Sequence, residues 1–502
     1  MGSIRQPRLP ILRALHKSGS GITRRDFLKG SVVLGTAALF PPLRWVSAAT
    51  QPRVVIIGAG IGGLNAAYQL KKAGISSTVY EASMRTGGRM LSVKDVMGAG
   101  LITELGGEFI DGGHLDMIAL ANEFELGFID RQDKPNKDLK HRAYYFGGKF
   151  YTDKDIIEAY EPFRKQMAVD ALILNREVTF DHPAQAEKLD NTPLSAYLKN
   201  LAMPKWLEDL LTNAYTTEFG MDTSEQSALN LLSLFPSAMG EKFELFGESD
   251  ERYKVIGGNQ QVTNELEKRV YMSIEFGHKL TSIKQKGGTY TLNFAKKGSA
   301  AKKVEADILL IALPFSILRK IPFEAELPDW KRKAIKDLGY GTATKVMIGY
   351  NKRIWREQGY GGEVVSDEPF QLAWDNSELQ PGDAGGITTY TGGKRGKESA
   401  KGTIKKHADE FAKALDKVYP GSIDVRSPKI ARMDWSGNSF SLGCYSAYKA
   451  GQWTTIRGAE GKPVDNIFFA GEHCSLEFQG FMNGGAETGK LAAEAIQLKI
   501  KG

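Results

Sequence analysis

The stretch RVVIIGAGIGG, residues 53–63, decides the fold class of this chain. Its β-branched start predicts a strand that is buried on both faces, and residues 64–73 can continue as a helix. Between them, Gly58, Gly60 and Gly63 complete the pattern G-x-G-x-x-G. In this setting the glycines allow a tight turn, a close approach of a pyrophosphate to the backbone, and close packing of helix on strand. The stretch therefore predicts a Rossmann-type dinucleotide site, with the phosphates at the N-terminus of the helix.

The next predicted strand, residues 77–80, ends in the acidic residue Glu81. A carboxylate about twenty positions after the glycines can hydrogen-bond the ribose hydroxyls of the dinucleotide. It also disfavours a 2′-phosphate, so we expect NAD or FAD rather than NADP.

The segment RTGGR, residues 85–89, distinguishes FAD from NAD through a resemblance. It is similar to the R-x-G-G-R doublet that members of the flavin amine oxidase superfamily carry after the Rossmann unit. The resemblance implies that Gly87 and Gly88 lie beside the pyrophosphate and that Arg89 lies near the flavin or its phosphates. We expect FAD as the cofactor and include Arg85 among its binding residues. A turn that merely contains two glycines is the alternative.

Two further segments resemble the same superfamily. Residues 104–110, ELGGEFI, are similar to the strand that passes beneath the flavin, which implies cofactor contacts from Gly107, Glu108 and Phe109. Residues 466–473, NIFFAGEH, run from a predicted strand into an acid and are similar to the superfamily's closing motif.

In that closing motif, Gly471 and Glu472 are expected at the ribityl or pyrophosphate part of the cofactor. A predicted helix then begins near Met482, and the resemblance implies that its N-terminus faces N1 and O2 of the flavin. A helix dipole at this place stabilises an anionic reduced flavin.

Lys345 interrupts the otherwise apolar run of residues 341–348. A buried lysine is costly unless it is paired, so a functional role is plausible. By resemblance it matches the superfamily lysine that holds a water next to flavin N5, a group that could assist reoxidation by oxygen. A strand lysine that points to solvent is the alternative.

Three aromatic residues complete the predicted catalytic set with Lys345. Tyr445 and Phe481 match the two aromatic walls that flank the substrate nitrogen in amine oxidases, and Phe481 also belongs to the predicted cofactor site. Aromatic faces orient an amine. Trp374 falls in the segment that lines the substrate cavity of relatives. Ordinary core aromatics are the alternative interpretation.

The two cysteines, Cys444 and Cys474, are too few for a disulfide framework. Cys444 is similar to the monoamine oxidase cysteine that is bonded to the flavin 8α carbon, but the flanking sequence departs from that motif. We therefore favour non-covalent FAD and a small buried thiol at Cys444, with the covalent link and a disulfide between the two cysteines left open. No zinc-type ligand spacing is present, and no metal site is predicted.

Residues 1–48 have the layout of an export signal. Eight of the 66 lysines and arginines lie in this segment with one of the 59 acids, which leaves 58 of each sign in the rest of the chain. The body of the chain thus lacks the basic excess that nucleic acid binding requires. Arg24 and Arg25 precede a short apolar run and a small-residue cleavage pattern ending at Ala48, which resembles a twin-arginine signal. We expect export of the folded protein to the periplasm or outside the cell, and no membrane span in the remainder.

The predicted fold class is α/β, with a Rossmann-type FAD-binding domain interleaved with an α+β substrate-binding domain, as the superfamily resemblance implies. The FAD-binding domain is assigned to residues 51–112, 251–320 and 430–502, and the substrate-binding domain to residues 113–250 and 321–429. The stretch 113–250 is expected to be mainly helical.

The predicted reaction is hydride transfer from the α carbon of an amine to the flavin, with oxygen reduced to hydrogen peroxide. The L-amino acid oxidases of this superfamily bind the substrate carboxylate with an arginine where this chain has Phe109. We nevertheless favour an L-amino acid slightly, with a primary monoamine or a polyamine as the alternative. A flavin-dependent desaturase and a non-catalytic flavin module are the remaining hypotheses, and the sequence gives no guide to oligomeric state.

Overall fold

The structure is a computed structural model that describes residues 51–235, 240 and 242–501. The predicted leader, residues 1–48, lies outside the described residues. From Pro52 onward the chain forms one compact unit.

Strands occur along the whole described chain. In chain order they are β1 (Val54–Ile57), β2 (Ser77–Tyr80), β3 (Ser92–Lys94), β4 (Ile102–Glu104), β5 (Phe128–Asp130), β6 (Lys140–Phe146), β7 (Lys149–Tyr151), β8 (Tyr253–Val255), β9 (Ile274–Glu275), β10 (Lys279–Lys286), β11 (Thr289–Ala295), β12 (Lys302–Ala306), β13 (Ile308–Ile311), β14 (Phe323–Glu324), β15 (Ala343–Tyr350), β16 (Tyr360–Ser366), β17 (Leu372–Asp375), β18 (Gly385–Gly392), β19 (Arg426–Asp434) and β20 (Ile467–Phe469).

Helices occur along the same part of the chain. They are α1 (Ile61–Lys72), α2 (Leu115–Glu123), α3 (Asp153–Ala171), α4 (Glu187–Asp190), α5 (Leu194–Asn200), α6 (Lys205–Phe219), α7 (Ala228–Ser233), α8 (Gln260–Val270), α9 (Phe315–Leu318), α10 (Asp329–Asp337), α11 (Ile354–Glu357), α12 (Gly393–Ser399), α13 (Ile404–Val418) and α14 (Met482–Lys501). Within the described residues, none of them is both long and apolar enough to cross a membrane.

A five-stranded parallel sheet, in the order β20-β13-β1-β2-β9, carries the Rossmann unit. The β-branched strand β1 lies in its centre and is buried along its whole length, as a strand covered on both faces must be. Strand β20 completes one edge although it lies more than 400 residues after β1 in sequence. The predicted α/β fold class is confirmed, and the domain boundaries stay a prediction.

A seven-stranded sheet, in the order β19-β15-β18-β17-β16-β6-β7, forms the second large layer. Strands β6 and β7 lie in the stretch that was expected to be mainly helical. Their buried aromatic run, Tyr144 to Phe146, explains the difference, because aromatic side chains favour a strand that pairs with β16. This sheet presents Lys345 from β15 and Trp374 from β17 to the interior.

Residues 105–109 are not the strand that the resemblance implied. Strand β4 ends at Glu104, and residues 105–109 belong to no sheet, although the N–H groups of Leu105 and Gly107 donate to the carbonyl oxygens of Leu91 and Arg89. A Cβ at Gly106 would lie 1.8 Å from the carbonyl oxygen of Arg89, and one at Gly107 would lie 2.7 Å from the Met482 side chain. Only glycines fit such a narrow passage, which brings the backbone of this segment against Arg89 and Met482, two of the residues predicted to contact the cofactor.

Candidate active site

The glycine loop between β1 and α1 has the geometry that a pyrophosphate requires. Gly58 adopts φ +102°, and a Cβ at Gly63 would lie 2.0 Å from the carbonyl oxygen of Gly58. At Gly60, by contrast, a Cβ would meet no atom within 4 Å. Gly58 and Gly63 therefore serve the turn and the packing of the helix, whereas Gly60 faces open space through which a ligand can reach the backbone.

The RTGGR segment packs directly on this loop. The N–H of Gly87 donates to the carbonyl oxygen of Ala59 at 2.8 Å, and Gly87 adopts φ +90°. Arg85 donates to the carbonyl oxygens of Thr86 and Gly88, and these bonds fix the backbone conformation of the glycine doublet.

Glu81 lies at the end of β2, next to the glycine loop. Its carboxylate accepts the N–H groups of Ala59 and Ser83, each at 2.8 Å. The side chain is thus fixed at the edge of the loop, where its carboxylate can also accept a hydrogen bond from a ribose hydroxyl.

The N-termini of α1 and α14 meet at this place. A Cβ at Gly485 would lie 2.7 Å from Ile61, and a Cβ at Gly489 would lie 2.3 Å from the carbonyl oxygen of Gly62, so glycines permit unusually close packing of the two helices. Each helix start carries unpaired N–H groups and a partial positive charge. Two such ends beside open space at Gly60 fit the two phosphates of a dinucleotide.

Glu472 and Arg89 form a partly buried ion pair beside these helix ends. Arg89 Nη1 lies 2.9 Å from Glu472 Oε1 and also donates to the carbonyl oxygen of Cys444. Burial opposes ionisation of Glu472, but Arg89 and a hydrogen bond from Ser446 outweigh it and hold the pKa of this carboxyl below its ordinary value. The N–H of Gly480 donates to the same carboxylate at 3.0 Å, which connects it to the loop before α14.

Lys345 shares a buried carboxylate with a second lysine, Lys254. Glu108 accepts from Lys345 Nζ and from Lys254 Nζ, each at 2.9 Å. Lys345 also donates to the carbonyl oxygens of Glu104 at 3.1 Å and Gly106 at 2.8 Å, and only 7% of it is exposed, which excludes the solvent-facing alternative. Burial opposes ionisation of Glu108, but the two lysines lower its pKa overall. The two lysines and the one carboxylate, Lys345, Lys254 and Glu108, therefore carry a net positive charge next to the backbone of residues 104–108.

Glu104 is a buried carboxyl whose charge is poorly compensated. It accepts from the N–H of Asn259 and from Ser92 Oγ, each at 2.7 Å, and is 1% exposed. Burial is the largest influence and raises its pKa to about 7.

We expect Glu104→Gln to stabilise the protein by roughly 3 kcal/mol at pH 8 and by much less at pH 4.5. The pKa of Glu104 in the folded state lies above its ordinary value of 4.5, so the unfolded chain releases the proton first as pH rises. Stability is therefore lost between pH 4.5 and 7, and glutamine removes that loss while its amide can still bond Asn259 and Ser92. Denaturant unfolding of both proteins at the two pH values measures the difference, and equal differences at both would contradict the expectation.

Four aromatic side chains, which we call the aromatic group, lie in contact from residues 104–109 to the loop before α14. They are Phe109, Trp374, Tyr390 and Tyr445. Ring centroids are 5.8 Å apart for Phe109 and Trp374 and 5.5 Å apart for Trp374 and Tyr390. Lys345 Nζ lies 5.2 Å from the Trp374 ring, so the predicted lysine and one of the three predicted aromatics are direct neighbours.

Hydrogen bonds fix the tyrosine end of the aromatic group. Tyr445 donates its hydroxyl to the carbonyl oxygen of Thr217 at 2.8 Å, and Tyr390 then donates to Tyr445 at 3.0 Å. The ring of Tyr445 lies 3.7 Å from the position of a Cβ at Gly480, the residue before Phe481. Phe481 itself contacts His114, with ring centroids 5.0 Å apart. Burial lowers the pKa of His114 to about 4, so this imidazole is neutral at neutral pH.

Both cysteines are free thiols, so the disulfide that the sequence left open does not form. Cys444 Sγ packs on backbone, at 2.8 Å from the positions that Cβ atoms of Gly220 and Gly341 would take. Burial raises the pKa of Cys444 to about 12. The thiolate needed for a covalent bond is strongly disfavoured in this packing.

The described residues thus fit a flavin dinucleotide along one continuous path. The path runs from Glu81 and the glycine loop, past the paired helix ends and Arg89, to Met482 and the segment above Lys345. Residues 61–497 match the family of flavin-containing amine oxidoreductases. The chain belongs to this family.

Relatives of this amine oxidoreductase span most of the chain. It is 25% identical over 491 residues to an L-amino acid dehydrogenase of Synechocystis sp., which covers 92% of this chain and 98% of that protein. It is 25% identical over 461 residues to flavin-containing amine oxidase B of Homo sapiens, which covers 88% and 85%. The solved structure of cyclohexylamine oxidase from Brevibacterium oxydans shares the fold with a TM-score of 0.78 at 23% identity, over 90% of this chain and 100% of that one. Residues 21–41 match the twin-arginine signal, which confirms that prediction.

Several residues of the site are absent from the sequence prediction. They are Lys254, Tyr390, Thr217, Glu218 and His114. Tyr390 lies on a strand-like run, and only the pairing of β18 with β15 places it directly opposite Lys345. Lys254 lies in a short strand and looks like an ordinary strand lysine in the sequence. Only its ion pair with the distant Glu108 shows that it belongs to the site.

Proposed function

We propose that this protein is an FAD-dependent oxidase of primary amines. The observation that carries the proposal is the convergence of Lys345, the aromatic group and the Arg89–Glu472 pair on residues 104–108. FAD, which the glycine loop, Arg89 and the N-terminus of α14 would hold, would supply a two-electron acceptor for a hydride from the α carbon of the amine, with oxygen as the final acceptor. The overall reaction consumes the amine, oxygen and water and yields an aldehyde, ammonia and hydrogen peroxide.

The chain's own residues would bind and orient the amine. The faces of Tyr445 and Trp374 exclude water and favour an amine nitrogen between aromatic surfaces. The bonds of Tyr445 to Thr217 and Tyr390 fix its ring, and the Phe481 ring is supported by His114. Lys345 supplies a positive charge on the other side of residues 104–108.

The structure supports an amine more than an L-amino acid. Arg131 is the guanidinium nearest to Phe109, at 4.4 Å from its ring, but it is already bound to Glu378 at 2.5 Å and to the carbonyl oxygen of Glu251. An arginine that is occupied in this way is not available for a bidentate bond to a substrate carboxylate. The similarity to an L-amino acid dehydrogenase keeps the amino acid as a second candidate. The indole N–H of Trp374, which has no acceptor among the described residues, is the donor it would use.

We propose that FAD is bound without a covalent link. The packing of Cys444 Sγ on Gly220 and Gly341 and its raised pKa support this proposal. Export with the cofactor already bound, to the periplasm or beyond, agrees with the twin-arginine signal.

The test is peroxide release by the purified protein with primary amines, diamines and L-amino acids, together with anaerobic bleaching of the flavin. We expect both signals with amines. Bleaching without peroxide would show a dehydrogenase that uses another electron acceptor. A protein that holds flavin but gives neither signal with any substrate would overturn the proposal and favour the desaturase hypothesis. Denaturation and filtration should release the flavin if it is non-covalent.

A further inference from the structure

Glu218 is an unpaired carboxylate next to the aromatic group. It lies in the last turn of α6 and directly follows Thr217, whose carbonyl oxygen accepts the hydroxyl of Tyr445. Its side chain is partly buried. It accepts no hydrogen bond and forms no ion pair with the residues that the structure describes.

The groups that interact electrostatically with Glu218 are acids and tyrosines. They are Asp111, Glu251, Tyr215, Tyr390 and Tyr445. Burial first, and then Asp111, raises the pKa of Glu218 to about 7. Burial likewise raises the pKa of Asp111 to about 6. A second acid therefore increases the negative potential at this place.

The nearby arginines do not neutralise Glu218. Arg131 is bound to Glu378, and Arg142 donates to Glu363 at 2.5 Å. Both cations are thus committed to other carboxylates of the same interior.

The end of α6 adds to the negative potential. The helix ends at Phe219 and is capped by Gly220 at φ +60°. The C-terminus of a helix carries a partial negative charge, which repels the carboxylate of Glu218 and attracts a cation. The faces of Tyr390 and Tyr445 attract a cation as well. A partly buried carboxylate without a partner is costly, and a positively charged ligand would remove that cost.

We propose that Glu218 and the C-terminal end of α6 bind the second ammonium group of the substrate, so that the preferred substrate is an α,ω-diamine. This inference rests on the proposed function, because it places the reacting amine between the faces of the aromatic group. Tyr445 lies between the proposed sites for the two amino groups of the diamine. Its ring belongs to the aromatic group, and its hydroxyl donates to the carbonyl oxygen of Thr217, the residue before Glu218.

The test compares matched substrates in the FAD-loaded full chain. For each carbon length from three to six, kcat/KM is measured for the diamine, the monoamine and the neutral amino alcohol. We expect the wild type to prefer the diamine by at least about 10-fold, as a charge-assisted hydrogen bond allows. In Glu218→Gln the preference for the diamine over the monoamine should fall by about 10- to 100-fold, mainly through KM. Glu218→Asp should keep part of it.

Glu225→Gln is the matched control. It removes the same charge a short distance along the chain at an exposed position, and it should leave the preference unchanged. Flavin content and circular dichroism check that each variant is folded. If Glu218→Gln does not fold, the substrate series measured with Glu218→Asp and with the wild type still tests the proposal.

The outcomes separate this inference from the proposed function. A wild type that oxidises monoamines and amino alcohols as well as diamines overturns the inference and leaves the function intact. A diamine preference that survives in Glu218→Gln, or a clear preference for L-amino acids, also overturns it. Failure of every amine to bleach the flavin overturns the proposed function and the inference together.

Discussion

Replacing Lys345 by Met should slow reoxidation of the reduced enzyme by oxygen about 100-fold and affect reduction by amine far less. The ammonium group of Lys345 is held by three acceptors, Glu108 and the carbonyl oxygens of Glu104 and Gly106. It therefore stays in place without help from a substrate. A fixed cation in a water-poor interior stabilises the negative charge that develops when oxygen accepts an electron. Methionine keeps the length of the side chain and removes this charge.

Stopped-flow absorbance separates the two half-reactions of this variant. Lys254→Met is the matched control, because it removes the same charge from the other oxygen of Glu108. The fold should survive in either variant, since Glu108 keeps one lysine partner in each. A wild-type rate of reoxidation in Lys345→Met, or an equal loss in Lys254→Met, would show that the position of Lys345 is not decisive.

Alanine at two positions of the glycine loop should have opposite effects on folding and on cofactor binding. Gly63→Ala should abolish the folded, flavin-loaded protein, because its Cβ would lie 2.0 Å from the backbone oxygen of Gly58 and neither backbone can move without breaking the contact of α1 with β1. Gly60→Ala should fold, because its φ of −72° suits any L-residue and its Cβ meets no atom within 4 Å. The same methyl group would occupy the space of the pyrophosphate and weaken FAD binding by at least about 10-fold.

Thermal unfolding of the apoprotein and flavin titration measure these two quantities separately. For Gly60→Ala we expect an unchanged melting temperature and a raised dissociation constant. Tight flavin binding by Gly60→Ala would place the pyrophosphate elsewhere, and a stable Gly63→Ala protein would mean that α1 can shift away from β1.

The sequence was sufficient to predict those parts of the fold and of the site whose residues are close together along the chain. The glycine loop, Glu81 and the RTGGR segment are local patterns, and β2 begins and ends where it was predicted. Helix α1 begins three residues earlier than predicted, inside the glycine pattern itself, since glycine with φ of −72° can serve as its N-cap.

Contacts between side chains that are far apart in sequence could not be predicted in the same way. Lys254 and Glu108 are 146 residues apart, and either would be an ordinary charged residue without the other. Glu218 looks like one of several acids on α6, and only the tertiary fold shows that it has no hydrogen-bond or ion-pair partner among the described residues. Even the passage of residues 105–109 depends on Arg89 and Met482, which lie on opposite sides of it.

The contact between α1 and α14 also bears on the order of events in the cell. Asn65 donates to the carbonyl oxygen of Ala486 at 2.7 Å, across 421 residues of sequence. A nascent chain that lacks α14 therefore presents only one of the two helix ends that we expect to hold the flavin. Because the twin-arginine machinery transports folded proteins, we expect α14 to pack on α1 before export.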